Sequence, residues 1–173
     1  MKEKNLFTLL EELAKSNVKF VVCGGIACVL HGVNRVTLDI DILADMDEVN
    51  LKKIIDIAHS YGLKPRIPEP VENFLDESKR NKWVEEKNAL VYTFFSDDGK
   101  IQLDVFLKYP INYKDAFKKA DKIEYRNLDL YVTSIEDLLF AKKNVLPPRH
   151  KDLQDIEELE KIYKSRYGKE KKD

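Results

Sequence analysis

Residues 24–42 read GGIACVLHGVNRVTLDIDI, and this stretch decides the architecture that the sequence predicts. The run VKFVVC just before it (residues 18–23) is β-branched and apolar, which is typical of a buried strand that the glycine pair then ends. IACVLHG predicts a short helix. TLDIDILAD (residues 37–45) predicts a second strand, because acidic residues alternate in it with apolar ones.

Two aspartates share one face of that second strand. Side chains alternate along a strand, so Asp39 and Asp41 project to the same side. The other face is apolar and carries Leu38, Ile40 and Ile42. Neighbouring carboxylates repel each other unless a cation lies between them, and a hard divalent ion is the usual solution. The alternative, a solvated acidic face without a ligand, stays open from this pair alone.

A third acid lies in a later strand. ALVYTFFSDDGKIQLDVFLKY (residues 89–109) predicts a hairpin that turns at Asp98-Gly99. Asp104 interrupts the second apolar run of this hairpin, where an unpaired charge would be costly to bury. If that run pairs beside TLDID, all three acids converge, and such a cluster suits two Mg²⁺ ions about 3.5–4 Å apart. Alternatively, Asp104 is an edge charge that discourages aggregation.

The glycine pair lies at a predicted junction between strand and helix. Without Cβ atoms, Gly24 and Gly25 would let the backbone approach phosphate oxygens at a helix N-terminus. The pair is neither a P-loop nor a GxGxxG fingerprint, so by itself it indicates little.

Several segments together resemble a known superfamily. GGIACVLHGVNRVTLDID, followed by Asp104, resembles the signature of the nucleotidyltransferase superfamily, whose palm is similar to that of DNA polymerase β. The form GG…HG…R.T.DID is similar to small bacterial and archaeal members, including abortive-infection and toxin-type nucleotidyltransferases. EDLLFAKKN (residues 136–144) and RHKDLQDIEEL (residues 149–159) resemble the Lys and Arg-x-Lys-Asp-x-x-Asp elements of that group.

The resemblance implies a fold and a reaction. The fold is α/β (α+β), a mixed β-sheet flanked by helices with a C-terminal helical segment. The reaction moves a nucleoside monophosphate from a nucleoside triphosphate, ATP among them, to a hydroxyl of RNA, a protein or a small molecule. The implied cofactor is Mg²⁺, as one or two ions, with Mn²⁺ as a substitute. The implied catalytic metal ligands are Asp39, Asp41 and Asp104, and the implied nucleotide or phosphate contacts are Gly24, Gly25, Arg35, Lys142, Arg149, Lys151 and Asp152.

One position departs from the family pattern. Many active members have Ser after the first glycine, whereas this chain has Gly25. A second hypothesis is therefore a catalytically weak, nucleotide-binding or regulatory member of a toxin-antitoxin pair with a cognate protein partner. A third is a metal-dependent phosphohydrolase, which would use water as the acceptor.

The basic and acidic residues outside the triad also allow structural interpretations. Arg35 could anchor its loop by pairing with Asp39 or Asp41. The lysines and arginines from residue 142 to residue 151 could form a solvated helix end. Asp152 and Asp155 could be ordinary acids of a helix N-terminus, and His31 is more often a hydrogen-bonded structural histidine than a catalyst.

Length and composition limit the domain organisation, partners and cellular location that the sequence predicts. The chain has 173 residues, which suits a single domain over residues 1–168, and KEKKD (residues 169–173) predicts a charged, frayed tail. The formal charge of -1 provides no global field for nucleic acid. No apolar run is long enough for a membrane span, so a cytoplasmic protein without a membrane partner is expected. Cys23 and Cys28 are predicted to be buried apolar groups.

The spacing of apolar and turn residues predicts the other elements. Helices are predicted at residues 5–16, 47–61 and 113–119, from Ser134, and after Pro147-Pro148. Residues 71–87 predict helix and loop, residues 64–70 a turn or edge strand, and residues 128–132 a strand.

Overall fold

The structure is a computed structural model that describes residues 3–168. The predicted tail at residues 169–173 and the first two residues of the predicted domain lie outside the described residues.

Seven helices and a seven-stranded sheet alternate along the described chain. The helices are α1 (Leu6–Lys15), α2 (Gly24–His31), α3 (Glu48–Ser60), α4 (Glu77–Lys87), α5 (Tyr113–Lys119), α6 (Ile135–Lys143) and α7 (His150–Tyr167), with a 3₁₀ turn at Val71–Leu75. The strands are β1 (Phe20–Cys23), β2 (Ile40–Ala44), β3 (Lys64–Pro65), β4 (Val91–Phe95), β5 (Gln102–Phe106), β6 (Asp121–Tyr125) and β7 (Leu128–Val132).

The sheet is mixed, with the strand order β3-β4-β5-β2-β1-β7-β6. β1 pairs antiparallel with β2, whereas β2 pairs parallel with β5 and β1 pairs parallel with β7. The predicted hairpin at residues 89–109 is confirmed as the antiparallel pair β4 and β5. A mixed sheet flanked by helices was the predicted fold class.

Short polar side chains begin most of the helices where the sequence predicts them. Asn5 and Thr8 form a reciprocal capping box at the start of α1. Asp47, Asn112 and Ser134 each accept a hydrogen bond from a backbone N–H in the first turn of α3, α5 and α6. These caps satisfy free N–H groups of the first turn and fix where each helix begins.

The main core lies on the face of the sheet that carries Ile40 and Ile42, both completely buried. The two cysteines are buried and free, as predicted for apolar groups. The opposite face has a smaller apolar cluster in which Cys23, Leu43 and Ala116 meet under α5. The acidic side chains of β2 and β5 belong to this second, more open face.

Two local predictions were wrong. Leu38 was predicted to share the apolar face of β2, but β2 begins at Ile40 and Leu38 is 73% exposed. β6 was not predicted at all, because its sequence DKIEY is largely polar. It is an edge strand held only by β7, so its outer residues can remain polar.

Across residues 3–168, no helix has both the length and the apolar character needed to cross a membrane.

Candidate active site

The three predicted acids come together on one face of the sheet. Asp41 of β2 and Asp104 of β5 are directly opposite each other in the parallel register. Asp39 lies two residues before Asp41, just ahead of the strand. One carboxylate oxygen from each of the three lies within 4.8 Å of the others. The sheet register therefore creates a compact cluster of carboxylates from two distant segments.

Neighbouring polar side chains hold Asp104 in place. Thr93, its cross-strand partner on β4, donates a hydrogen bond from Oγ1 to Asp104 Oδ1 at 2.5 Å. Gln102, two residues earlier on the same strand face, donates from Nε2 to Oδ2 at 2.9 Å. Asp104 is only 6% exposed, so these two bonds satisfy a carboxylate that would otherwise be costly to bury.

Asp41 is the most electrostatically perturbed member of the cluster. Burial, together with the nearby charges of Asp39 and Asp104, raises the pKa of its carboxyl from 3.8 to about 7. A backbone hydrogen bond from Gly25 opposes this shift. Three carboxylates packed this closely have an unfavourable mutual charge, which a bound cation would relieve.

Gly24 provides the space that the Asp41 carboxylate occupies. Its φ is +60°, in the left-handed region that favours glycine. A Cβ atom at this position would overlap Oδ2, the carboxyl carbon and Cβ of Asp41. Gly24 is therefore required both by its backbone conformation and by the close approach of the Asp41 carboxylate.

A Gly24→Ala substitution should weaken divalent-metal binding by about 10- to 100-fold, because the new methyl group displaces Asp41 from the cluster. Isothermal titration with Mn²⁺ would measure the change. Gly99→Ala is a matched control, since Gly99 also has a positive φ (+69°) but has open space around its Cβ position. Equal metal affinity in Gly24→Ala, Gly99→Ala and wild type would contradict the displacement of Asp41 by a side chain at residue 24.

Gly25 is surrounded by Thr37 and Arg35. A Cβ at Gly25 would lie 2.6 Å from Thr37 Oγ1 and 3.2 Å from Arg35 Nη2. The Thr37 hydroxyl in turn donates to Asp39 Oδ1 at 3.1 Å. The absence of a side chain at residue 25 thus allows the loop before β2 to lie against the start of α2 and to orient Asp39.

A buried ionic network lies beside the acid cluster. Lys142 of α6 donates to Asp155 Oδ2 at 2.7 Å and to Asp152 Oδ1 at 3.2 Å. Arg149 binds Asp152 through two hydrogen bonds, at 2.6 and 3.1 Å. Arg35 binds Asp155 at 2.5 Å. The network connects the loop before β2 to α6 and α7, and its three cations outnumber its two carboxylates.

The network is close enough to the acid cluster to affect it. Lys142 lowers the pKa of Asp41, although burial and the neighbouring acids raise it more. The pKa of Arg149 is raised, first by its hydrogen bond to Asp152 and to a lesser extent by the charges of Asp41 and Asp39. The Arg149 side chain is 60% exposed, so its guanidinium faces solvent next to the carboxylates.

The model of a family of nucleotidyltransferases of unknown function (DUF6036) matches residues 4–166 of this sequence. The chain belongs to this family. That membership makes it a nucleotidyltransferase, as the resemblance in its motifs predicted. No curated protein matches the sequence significantly.

Two solved structures share the fold of this DUF6036 protein. The lincosamide antibiotic adenylyltransferase LnuA, solved with lincomycin bound, is 18% identical, and the alignment covers 92% of this chain and 99% of LnuA with a TM-score of 0.59. The antibiotic-resistance factor ANT(2″)-Ia, solved in solution, is 13% identical over 94% of this chain and 91% of its own, with a TM-score of 0.54. Both likenesses concern the fold alone.

The structure groups most, but not all, of the predicted site residues. Gly24, Gly25 and the three acids form one cluster, and Arg35, Lys142, Arg149 and Asp152 form the adjoining network. Lys151 is exposed on α7 and makes no hydrogen bond or ion pair with any residue between 3 and 168. Arg35 pairs with Asp155, so the alternative in which it pairs with Asp39 or Asp41 was wrong.

Sequence reasoning left three residues of this DUF6036 site without a role. At Asp155 the local sequence indicates only an acid of a helix N-terminus, yet this residue binds both Arg35 and Lys142. Its place in the segment RHKDLQDIEEL was the available signal. Thr37, which orients Asp39, had a similar signal as the T of the R.T.DID form. Thr93, which orients Asp104, carried none, because its contact depends on the pairing of β4 with β5.

His31 has a structural environment. Its Nε2 lies 2.7 Å from the carbonyl of Thr133, and Arg166 donates to its backbone carbonyl at 3.0 Å and approaches Nδ1 at 3.4 Å. The side chain is buried at the end of α2. This agrees with the interpretation of His31 as a hydrogen-bonded structural histidine.

We expect the protein to lose stability below pH 6.5 because of His31. Burial lowers the pKa of His31 from 6.5, against the raising effects of the Thr133 hydrogen bond and Asp121. Below pH 6.5 the His31 side chain is protonated more readily in the unfolded chain than in the folded one. The stabilisation from neutral His31 is therefore lost as the pH falls. The difference in Tm between wild type and His31→Gln should shrink from pH 7.5 to pH 5. His59→Gln, at an exposed position of α3, should leave the wild-type pH slope unchanged.

Proposed function

We propose that this chain transfers a nucleoside monophosphate from a metal-bound nucleoside triphosphate to a hydroxyl group of an acceptor, with Mg²⁺ as the cofactor and Mn²⁺ as a substitute. The observation that supports it best is the cluster of Asp39, Asp41 and Asp104 beside the glycine-lined start of α2. Family membership supports the reaction class.

The donor set of the cluster fits a hard divalent cation. It consists of carboxylate oxygens within 4.8 Å of one another, which is the ligand type that Mg²⁺ and Mn²⁺ prefer. The raised pKa of Asp41 reflects burial and the repulsion that such an ion would offset. Asp39, Asp41 and Asp104 would hold the ion, and it would supply Lewis-acid stabilisation of the transferring phosphoryl group and the departing pyrophosphate.

The start of α2 is suited to bind the triphosphate. No side chain caps this helix, and it begins with Gly24 and Gly25, which place no Cβ between the backbone and a ligand. In the structure the Gly25 N–H bonds the Asp41 carboxylate, so the half-buried Gly24 is the more open of the two. The Arg35 guanidinium lies beside Gly25, and Arg149 presents its exposed guanidinium near the acids. We assign phosphate contacts to these four residues, since guanidinium groups bind phosphate oxygens in a bidentate manner.

The buried part of the ionic network has a different role in this proposal. Lys142 and Asp152 are 8% and 1% exposed and bind each other, so they support the arginines and leave the direct phosphate contacts to them. In the proposed reaction the acceptor hydroxyl would attack the α-phosphorus through its oxygen and release its proton to water. The bond from that phosphorus to the bridging oxygen breaks, and pyrophosphate leaves with the bonding electrons.

The test is a transfer assay with α-labelled nucleoside triphosphates, Mg²⁺ and a mixture of RNA, protein and small-molecule extract. Label should join an acceptor with the wild type and not with Asp104→Asn. This substitution removes one carboxylate of the proposed metal site but leaves its hydrogen-bonding neighbours Thr93 and Gln102 in place. Nucleotide binding by wild type with no label transfer in any fraction would favour the regulatory alternative. Release of labelled monophosphate to water would favour a phosphohydrolase.

A further inference from the structure

A cavity of about 680 Å³ lies next to the acid cluster on the same face of the sheet. Its floor includes Leu43 and Phe106, and the segment from Tyr109 to Tyr113 closes one side. Leu43 follows Asp41 by two residues on β2, and Phe106 follows Asp104 by two residues on β5. At about 3.3 Å per residue, the floor is therefore only about 7 Å along the strands from the carboxylates.

The cavity and the phosphate-binding glycines lie on opposite sides of the acids. Gly24 follows the end of β1, which is antiparallel to β2, so the glycines lie at the N-terminal end of β2. The cavity reaches Asp45 and Met46, beyond the C-terminal end of β2. A donor nucleotide at one end and an acceptor at the other would therefore meet at the carboxylates.

The lining of the cavity is mainly apolar and aromatic. Leu43, Phe106, Tyr109 and Ile111 belong to the apolar cluster under α5, and Tyr109 contacts Phe106 with ring centroids 4.6 Å apart. The Tyr109 hydroxyl lies close to the Cys23 thiol, whose residue is opposite Asp41 in the sheet. Tyr109 thus forms the boundary between the apolar floor and the carboxylates.

The rim of the cavity has an excess of positive charge. Its acids are already paired, Asp45 with Lys19 at 3.8 Å and Asp115 with Lys118 at 3.9 Å. Lys108 and Lys114 also line the cavity, and neither has a carboxylate within ion-pair distance in the described part of the chain. An anionic group on a ligand would complement these two lysines.

We propose that this cavity binds the acceptor, and that the acceptor is a small molecule with an apolar ring-sized body, an anionic group and a hydroxyl that reaches the acid cluster. This rests on the proposed function. The volume lies within the range of about 300–1,000 Å³ that small-ligand sites occupy. A single-stranded nucleic acid would instead need an extended basic groove with successive stacking rings, which two lysines on one rim do not provide.

The first test measures binding of 8-anilinonaphthalene-1-sulfonate, an aromatic probe with one anionic group, by fluorescence titration. Ile111→Trp fills the cavity and should weaken probe binding at least about tenfold. Val49→Trp makes a similar enlargement at an exposed site on α3 and should leave binding unchanged. Lys114→Glu should weaken the probe several-fold, whereas Lys82→Glu on α4 should not. Absence of probe binding by the wild type, or equal binding by wild type and Ile111→Trp, would overturn the proposal.

The second test separates this proposal from the proposed function. Calorimetry with Mg²⁺-ATP should give the same affinity for wild type and Ile111→Trp, because the nucleotide binds at the other end of β2. Loss of Mg²⁺-ATP binding by a folded Ile111→Trp protein would overturn the separate acceptor site. Failure of wild type to bind Mg²⁺-ATP would instead contradict the proposed function.

The transfer assay then identifies the acceptor class. Label should appear in the small-molecule fraction of a mixed extract, and Ile111→Trp should reduce its rate at least about tenfold while Val49→Trp does not. Label that enters RNA or protein, at the same rate in wild type and Ile111→Trp, would overturn the assignment of a small-molecule acceptor.

Discussion

Replacement of Asp41 by asparagine should abolish nucleotidyl transfer and, at the same time, make the metal-free protein more stable. The loss of activity should be at least about 10³-fold, because a charged ligand at the centre of the cluster disappears and metal-ion stabilisation of the transition state contributes several kcal/mol. The gain in stability comes from the loss of repulsion among the three carboxylates when no metal is bound. Asp41 lies between Asp39 and Asp104, and an amide removes the repulsion without changing the size of the side chain.

The sign of the stability change follows from the pKa of Asp41. The folded protein holds this carboxyl protonated up to about pH 7, whereas the unfolded chain ionises it near 3.8, mainly because burial and the two neighbouring acids raise the folded value. Stability therefore falls as the pH rises between these values. At pH 8 in EDTA, the free energy of unfolding of Asp41→Asn should exceed that of wild type by about 2–4 kcal/mol.

Thermal unfolding with EDTA and with excess Mg²⁺ would measure both effects. Mg²⁺ should raise the Tm of wild type and leave that of Asp41→Asn almost unchanged, because the proposed function requires the intact cluster to hold the ion. Asp56→Asn is a matched control, since it makes the same change on the exposed surface of α3. A lower Tm for Asp41→Asn in EDTA, with Asp56→Asn at the wild-type value, would contradict repulsion within the cluster.

The acid cluster was largely predictable because it depends on a strict periodicity. Asp39 and Asp41 share a face whatever the rest of the fold does, and Asp104 interrupts an apolar run in a segment that already predicted a hairpin. The pairing of β5 with β2 was the uncertain step. The observed register places Asp104 opposite Asp41, so one correct strand pairing was sufficient to assemble the cluster.

The ionic network and the cavity were less predictable, because they depend on how separate elements pack. Asp155 lies 120 residues from Arg35 in the sequence, and local spacing alone cannot show that they meet. The cavity depends on where the loop after β5 and α5 lie over the sheet. β6 was missed because a polar edge segment can pair without the apolar alternation that predicts a strand. Leu38 failed in the opposite way, because the alternation continues before the point where β2 begins.

Lys142→Met should destabilise the protein by about 3 kcal/mol, the second large effect expected here. Lys142 is the central cation between Asp152 and Asp155, which are 1% and 2% exposed. Burial disfavours its charge, but Cys28, Asp155 and Asp152 outweigh burial and raise its pKa. Removing one partner from a buried ion pair leaves carboxylates poorly compensated, which costs about 3–5 kcal/mol. Arg149 and Arg35 still bind the two acids, so the lower end of this range applies.

The adjacent lysine provides the control for this prediction. Lys143 is exposed and pairs with Glu160 at 2.7 Å on the surface, so Lys143→Met should change stability by less than about 0.5 kcal/mol. Urea unfolding of both variants would give the difference in their free energies of unfolding. Titration with Mg²⁺-ATP would show whether nucleotide affinity depends on Lys142. If Lys142 bound phosphate directly, the folded fraction of Lys142→Met would also lose nucleotide affinity. A destabilised variant whose remaining folded fraction still binds Mg²⁺-ATP would instead show that Lys142 positions Arg35 and Arg149 and does not contact the phosphates itself.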